Sequence, residues 1–115
     1  MRSEGDDAAY LWDMLDAALA IVEYVSAKKL DDYIRDRMLR DAVERNFEIL
    51  GEAARRVSES FRAGHPEIPW RRIIGLRNIL AHDYGEIKNE KMWDLAKRNI
   101  PELANALRPL VPPIE

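Results

Sequence analysis

A chain of 115 residues with a net charge of −3 and no cysteine has the size of one domain with its own core, and it excludes disulfides, thiolate metal sites and a cysteine nucleophile. No apolar run approaches the ~18 residues of a membrane span. The acidic stretch from Met1 to Asp7 lacks the apolar segment of a signal peptide, so the expectation is a cytoplasmic protein away from the membrane. Ala and Leu supply 26 residues against 15 for Val and Ile, and Thr is absent, which favours helices over strands.

The charge is uneven. Residues 1–34 carry 3 basic and 8 acidic groups, residues 35–77 carry 10 and 7, and residues 78–115 carry 5 and 6. Every basic residue of the middle stretch is arginine, whose planar fork matches phosphate. A solvated helix face with i, i+4 pairs such as Asp41–Arg45 accounts for the same residues without a ligand.

In chain order, a first helix is expected from about Ala8 to Lys28, capped by Asp6 or Asp7, with Leu11, Met14, Leu15, Ala18, Val22 and Val25 as its apolar stripe and Lys28 and Lys29 at its negative end. Ala17, Leu19, Ile21 and Tyr24 widen that stripe, enough for two neighbours. Leu30 to Asp32 reads as a connection. A long second helix, Tyr33 to Arg62, buries Val43, Phe47, Leu50, Ala54, Val57 and Phe61, and Gly51 within it marks a close helix crossing that would bring the next helix near Glu52. Pro66 and Pro69 hold an extended loop. A third helix covers Trp70 to His82 with Ile73, Leu76 and Leu80 inward; Gly85 to Lys88 links it to a fourth at about Glu90–Asn99, capped by Asn89. Pro101 kinks or breaks the chain before a last helix carrying Leu103, Leu107 and Leu110. Residues 1–7 and 111–115 are expected to fray.

The chemistry concentrates in Arg77, Asn78, His82 and Tyr84. Two histidines and no cysteine do not make a zinc site, and no glycine-rich phosphate loop or nucleophile elbow is present. Asn78 and His82, four residues apart, share a helix face, with Arg77 one step to the side; Tyr84 would join Arg77 if the helix ran on. A histidine moves protons near neutrality and an arginine stabilises charge growing on phosphoryl oxygens. In RNA the 2′-hydroxyl is a built-in nucleophile, so such a pair suffices without a metal or other cofactor. The same residues also suit a bare helix end, where His82 gains from the helix dipole and Arg77 pairs with Asp83 or Glu86.

Three blocks, Arg45-Asn46-Phe47-Glu48-Ile49-Leu50-Gly51-Glu52-Ala53, His65-Pro66-Glu67-Ile68-Pro69-Trp70 and Gly75-Leu76-Arg77-Asn78-Ile79-Leu80-Ala81-His82-Asp83-Tyr84, together resemble the HepT-like branch of the HEPN superfamily over nearly the whole chain. The resemblance implies a single all-α domain over 1–115, a four- to five-helix HEPN-type bundle with a proline-kinked C-terminal helix, which forms a homodimer with two Arg-x4-His motifs facing one cleft. It implies the toxin of a toxin–antitoxin pair (type VII-like), a metal-independent endoribonuclease acting on RNA and not DNA. Arg77 and His82 carry over as the catalytic pair and Asn78 as the polar residue beside them. Arg45, Glu52, Arg71 and Arg72 are candidates for substrate binding in the cleft. Tyr84 matches the tyrosine that a minimal nucleotidyltransferase antitoxin (MNT-type) modifies with AMP. The alternative is a non-catalytic, nucleotide-binding or nucleotidyltransferase-associated subunit. A dimer also suits the breadth of the first helix and two tryptophans, Trp12 and Trp93, expected at the surface.

Overall fold

The computed structural model describes residues 4–113, and all the regular elements among them are helical. The long helices are α1 (Glu4–Val25), α3 (Arg37–Arg56) and a rod built from α7 (Gly85–Asp94), a wide π-turn (Leu95–Asn99) and α8 (Ile100–Leu107). Short helices fill the gaps: α2 (Leu30–Arg35), α4 (Glu59–Gly64), α5 (Trp70–Ile74) and α6 (Leu76–His82). α1 lies along α3 and against α8, while α5 and α6 lie across α3. The expected stripes meet in one cluster: Leu11, Met14, Ala18 and Ile21 of α1 against Val43, Phe47, Leu50 and Ala54 of α3, closed by Ile73, Leu76, Met92, Leu103 and Leu107.

The first helix starts earlier and stops sooner than expected. Asp7 lies within it and caps a different element. Its carboxylate accepts from the Ser58 amide at 2.7 Å and the Ser58 hydroxyl at 2.6 Å, and the Ser58 hydroxyl accepts from the Phe61 amide that opens α4. The far end stops at Val25 because Ala27 takes a left-handed conformation, φ +61°. The carbonyl of Val25 is bound by Lys97 of the π-turn, 3.0 Å away, rather than by Lys28 or Lys29 side chains. Met1–Ser3 and Ile114–Glu115, where fraying was expected, lie outside the described residues.

The expected single helix over 33–62 is three helices. Asp36, extended at φ −104° and ψ 97°, ends α2 and caps α3 through the Leu39 amide, and Arg40 donates to the Tyr33 and Ile34 carbonyls that the break exposes. Leu30 to Asp32, expected as a connection, opens α2, with Asp32 accepting the Lys29 amide at 2.9 Å. Val57 and Ser58 make the second break. Asp41 pairs with Arg37, and Arg45 stands 4.0 Å from Glu48, in place of the expected Asp41–Arg45 pair. Pro101 does not interrupt the helical run from Gly85 to Leu107, and the irregularity falls in the turn just before it. The π-turn before it, closed by the Ile100 amide on the Leu95 carbonyl, is how a helix accommodates a residue that donates no N–H and crowds the carbonyl four residues back. The two tryptophans are half-buried: Trp93 packs on Tyr33 with ring centroids 5.6 Å apart and lies under the Lys97 ammonium. The large apolar side chains at the surface are instead Met38, Tyr84, Ile87 and Tyr24.

An L-residue in the left-handed region costs about 1 kcal/mol relative to glycine. Ala27→Gly should therefore raise unfolding stability by about that amount, read as a higher urea midpoint at unchanged slope.

Candidate active site

The site is built at the end of α6. Gly51 of α3 has no side chain, and a Cβ there would stand 3.2 Å from the Ile73 carbonyl, so α5 crosses α3 nearly backbone to backbone. Leu76 then anchors α6 in the core while Ile79 and Leu80 pack half-buried against it. What remains of α6 faces outward: Arg77, Asn78, Ala81 and His82 are exposed, with Asn78 and His82 one turn apart.

The helix stops at His82. Asp83 and Tyr84 are extended, at φ −90° and −132°, and Gly85 turns the chain with φ +55° directly into α7. Only Asp83 and Tyr84 separate the helices, the expected linker Gly85 to Lys88 opens α7, and Asn89, expected as a cap, lies inside it. Tyr84 therefore does not continue the Arg77 face. It stands on the turn, 79 % exposed. Two ion pairs fix that turn. Lys91 of α7 meets Asp83 at 2.8 Å, and Lys88 meets Glu44 of α3 at 2.8 Å with both side chains only 21 % exposed. Asp83 is thus taken by a lysine and not by Arg77. Among the described residues, the side chains of Arg77, Asn78, His82 and Tyr84 make no hydrogen bond or ion pair.

Arg77 stands on the rim of an open groove of about 470 Å³ between α1 and α3, whose walls carry Asp13, Arg45, Glu48, Glu52 and Arg56. Of the expected site residues, Arg45, Glu52 and Arg77 meet there. Glu52 faces Arg55, at 2.7 Å, and Arg56, at 3.4 Å, rather than Arg77. The hydrogen bond from Arg55 above all, with Arg56 adding to it, holds the Glu52 carboxyl below its ordinary range, and the Tyr10 hydroxyl and Glu52 both favour the charged form of Arg56. His82 and Tyr84 do not line the groove, and Arg71 and Arg72 of α5 line a separate hollow beside Arg62. Sequence reasoning missed Asp13 and Arg56 in the groove and the Glu44–Lys88 bolt. Charges at helical spacing look the same whether they face a groove or open water, and no sequence signal joins residues 44 and 88.

The family model described as "Ribonuclease HepT-like" matches residues 14–110. The chain belongs to the HepT-like family. Its curated relatives include "Putative RNase MJ1380" of Methanocaldococcus jannaschii, 37% identical over 101 residues and covering 88% of this chain and 93% of the relative. "Probable ribonuclease HepT" of Thermococcus cleftensis is 35% identical over 94 residues, covering 82% and 86%. "Putative RNase TTE0752" of Caldanaerobacter subterraneus is 30% identical over 102 residues, covering 89% and 91%. No solved structure matches the chain at the same stringency. The all-helical bundle is the architecture expected of a HepT-like protein, and no described helix is long and apolar enough to cross a membrane.

Because the folded state depresses the Glu52 value, its ion pair is present above the ordinary carboxylate range and is lost as pH falls through the depressed folded value. Carboxyl-carbon NMR should find Glu52 titrating below the exposed glutamates, and Arg55→Gln should move it back up toward them.

Proposed function

We propose that this HepT-like protein is a metal-independent endoribonuclease toxin whose reaction centre is Arg77 and His82. The observation that supports it most directly is the end of α6. Four polar side chains with the right chemistry are exposed and, among the described residues, unpartnered: Arg77, Asn78 and His82 on α6, and Tyr84 on the turn that the Lys88–Glu44 and Lys91–Asp83 pairs hold in place. The chain has 21 acidic residues, and among the described residues neither Arg77 nor His82 is ion-paired with one. The relatives described as RNases point to RNA as the substrate.

The chemistry follows from the residues. Arg77 binds a phosphate and stabilises the charge that builds on its non-bridging oxygens. The RNA 2′-oxygen forms a bond to phosphorus, the bond from phosphorus to the 5′-oxygen breaks, and the products carry a 2′,3′-cyclic phosphate and a 5′-hydroxyl. His82 takes the 2′-hydroxyl proton or gives one to the departing 5′-oxygen. One histidine performs one of these transfers at a time, so a second copy of the chain facing the first supplies the other. In this reading the exposed Ile87, at 63 %, and Tyr84 lie beside the shared cleft. Asn78 orients His82 or donates to the phosphate.

Tyr84 is the point of control. A cognate nucleotidyltransferase antitoxin adds AMP to it: the phenol oxygen attacks the ATP α-phosphate and pyrophosphate leaves. The exposure of Tyr84 suits it to that transfer, and a nucleotide there would both fill the approach to His82 and repel RNA phosphate.

With unmodified protein and EDTA present, cleavage of RNA should persist in the wild type and end in cyclic phosphates. It should fall by about 10²-fold or more in His82→Ala and in Arg77→Ala, while light scattering still gives a dimer. Cleavage abolished by EDTA would overturn the metal-free mechanism. Cleavage retained in His82→Ala would remove His82 from it, and no cleavage by unmodified dimer would favour a non-catalytic nucleotidyltransferase partner.

A further inference from the structure

Some arginines among the described residues are paired with carboxylates and others, Arg40, Arg62 and Arg108 among them, are not. Arg35, Arg37, Arg45, Arg55, Arg56 and Arg98 each have a carboxylate within 4.0 Å. Arg71, Arg72 and Arg77 have none among the described residues, and they lie in one stretch, Ile68 to His82, that contains no Asp or Glu at all. In a chain of net charge −3 this is a local strip of positive charge. Its two ends face different surfaces: Arg77 stands at the groove between α1 and α3, and Arg71 and Arg72 line an open hollow of about 500 Å³ with Arg62.

That hollow has a rigid frame. Pro66 and Pro69 hold the loop between α4 and α5. The Trp70 indole N–H is bonded to the His65 carbonyl at 2.9 Å, and the His65 ring bonds the Phe61 carbonyl at 2.9 Å and stacks on Phe61 with centroids 4.0 Å apart. Arg62 is tethered by its Nε to the Val57 carbonyl at 3.1 Å, and its terminal amines make no bond among the described residues. Trp70 is only 8 % exposed and so presents no face for a base to stack on. What the hollow offers is guanidinium groups without carboxylate partners, which recognise phosphate and not base identity.

We propose that Arg62, Arg71 and Arg72 form a second, sequence-independent contact for the RNA phosphate backbone, outside the reaction centre. It rests on the ribonuclease reading and adds to it a reason for preferring longer RNA. Arg72 lies on α5 beside a hollow that does not include His82, at the far end of α6, so a strand held at both places extends beyond the scissile phosphodiester. The hollow does not add to the groove chemistry; it holds the flanking strand.

The test is binding of a 20-nucleotide 2′-O-methyl RNA, which cannot be cleaved, to the full chain by fluorescence anisotropy between low and moderate salt. Arg71→Gln/Arg72→Gln should weaken binding about tenfold and lower the slope of log affinity against log salt by about 1.4, two single-strand phosphate contacts. Arg35→Gln/Arg37→Gln removes the same charge from ion-paired positions and should leave the slope near that of wild type. The loss should shrink for a four-nucleotide RNA, which cannot reach both places. Equal affinity and slope in Arg71→Gln/Arg72→Gln and wild type would overturn the proposal and leave the patch to an acidic protein surface. An equal loss in both double variants would overturn it in favour of net charge alone. A wild type that binds no RNA would overturn the ribonuclease reading together with this one, whereas wild-type binding with unaltered variants would overturn this one alone.

Discussion

The architecture depends on how closely α5 approaches α3. At Gly51 the two backbones come so near that even a methyl group would stand 3.2 Å from the Ile73 carbonyl. That contact sets the height of α5 over α3. The height lets Ile73 and Leu76 reach the core, and the short helix α6 inherits its orientation from them. Arg77 stands at the groove for that reason. A mid-helix glycine costs about 1 kcal/mol relative to alanine, and here the return is a close crossing of α5 over α3.

The turn that follows is held by charge more than by burial. Most ion pairs among the described residues are exposed i, i+3 or i, i+4 pairs of the kind that contribute little. The Lys88–Glu44 pair differs, because it is mostly shielded and joins two elements distant in sequence. Tyr33, wholly buried beneath it, has a hydroxyl that burial and the neighbouring Glu44 push well above the ordinary phenol range. Tyr33 therefore stays neutral, and the charge of Glu44 is met by Lys88. The charged scaffold behind the turn is satisfied, whereas Arg77, His82 and Tyr84 in front of it have no partner among the described residues. That asymmetry is what supports the proposed site over a solvated helix face.

The helical class and the core were legible in the sequence because they rest on periodicity, a property of many residues at once. Val43, Phe47, Leu50 and Ala54 fall inside as their spacing requires. The breaks were less legible because each depends on one polar side chain finding a partner. Asp36 and Ser58 act as caps, and in a chain this rich in acids nothing marked Asp36 out from its neighbours. Asp7 and Lys97 cap helix ends 51 and 72 residues away, which no local pattern encodes. The resemblance of the three blocks marked out the quartet from Arg77 to Tyr84, while its shape was not readable: Gly85 with positive φ opens α7 at once, so Tyr84 sits on a turn and not on a helix face. Arg71 and Arg72 were expected with Arg45 and Arg77 as the arginines a dimer cleft would gather; on the single chain α5 places them beside Arg62.

The central claim is that RNA meets this protein at the α6–α7 turn. The most direct measurement is a backbone NMR titration of the isotope-labelled, unmodified wild-type chain with an uncleavable 2′-O-methyl RNA. The account predicts that the largest shifts and broadening fall on Arg77 to Tyr84. Saturable binding that leaves those amides undisturbed and perturbs another surface would contradict it.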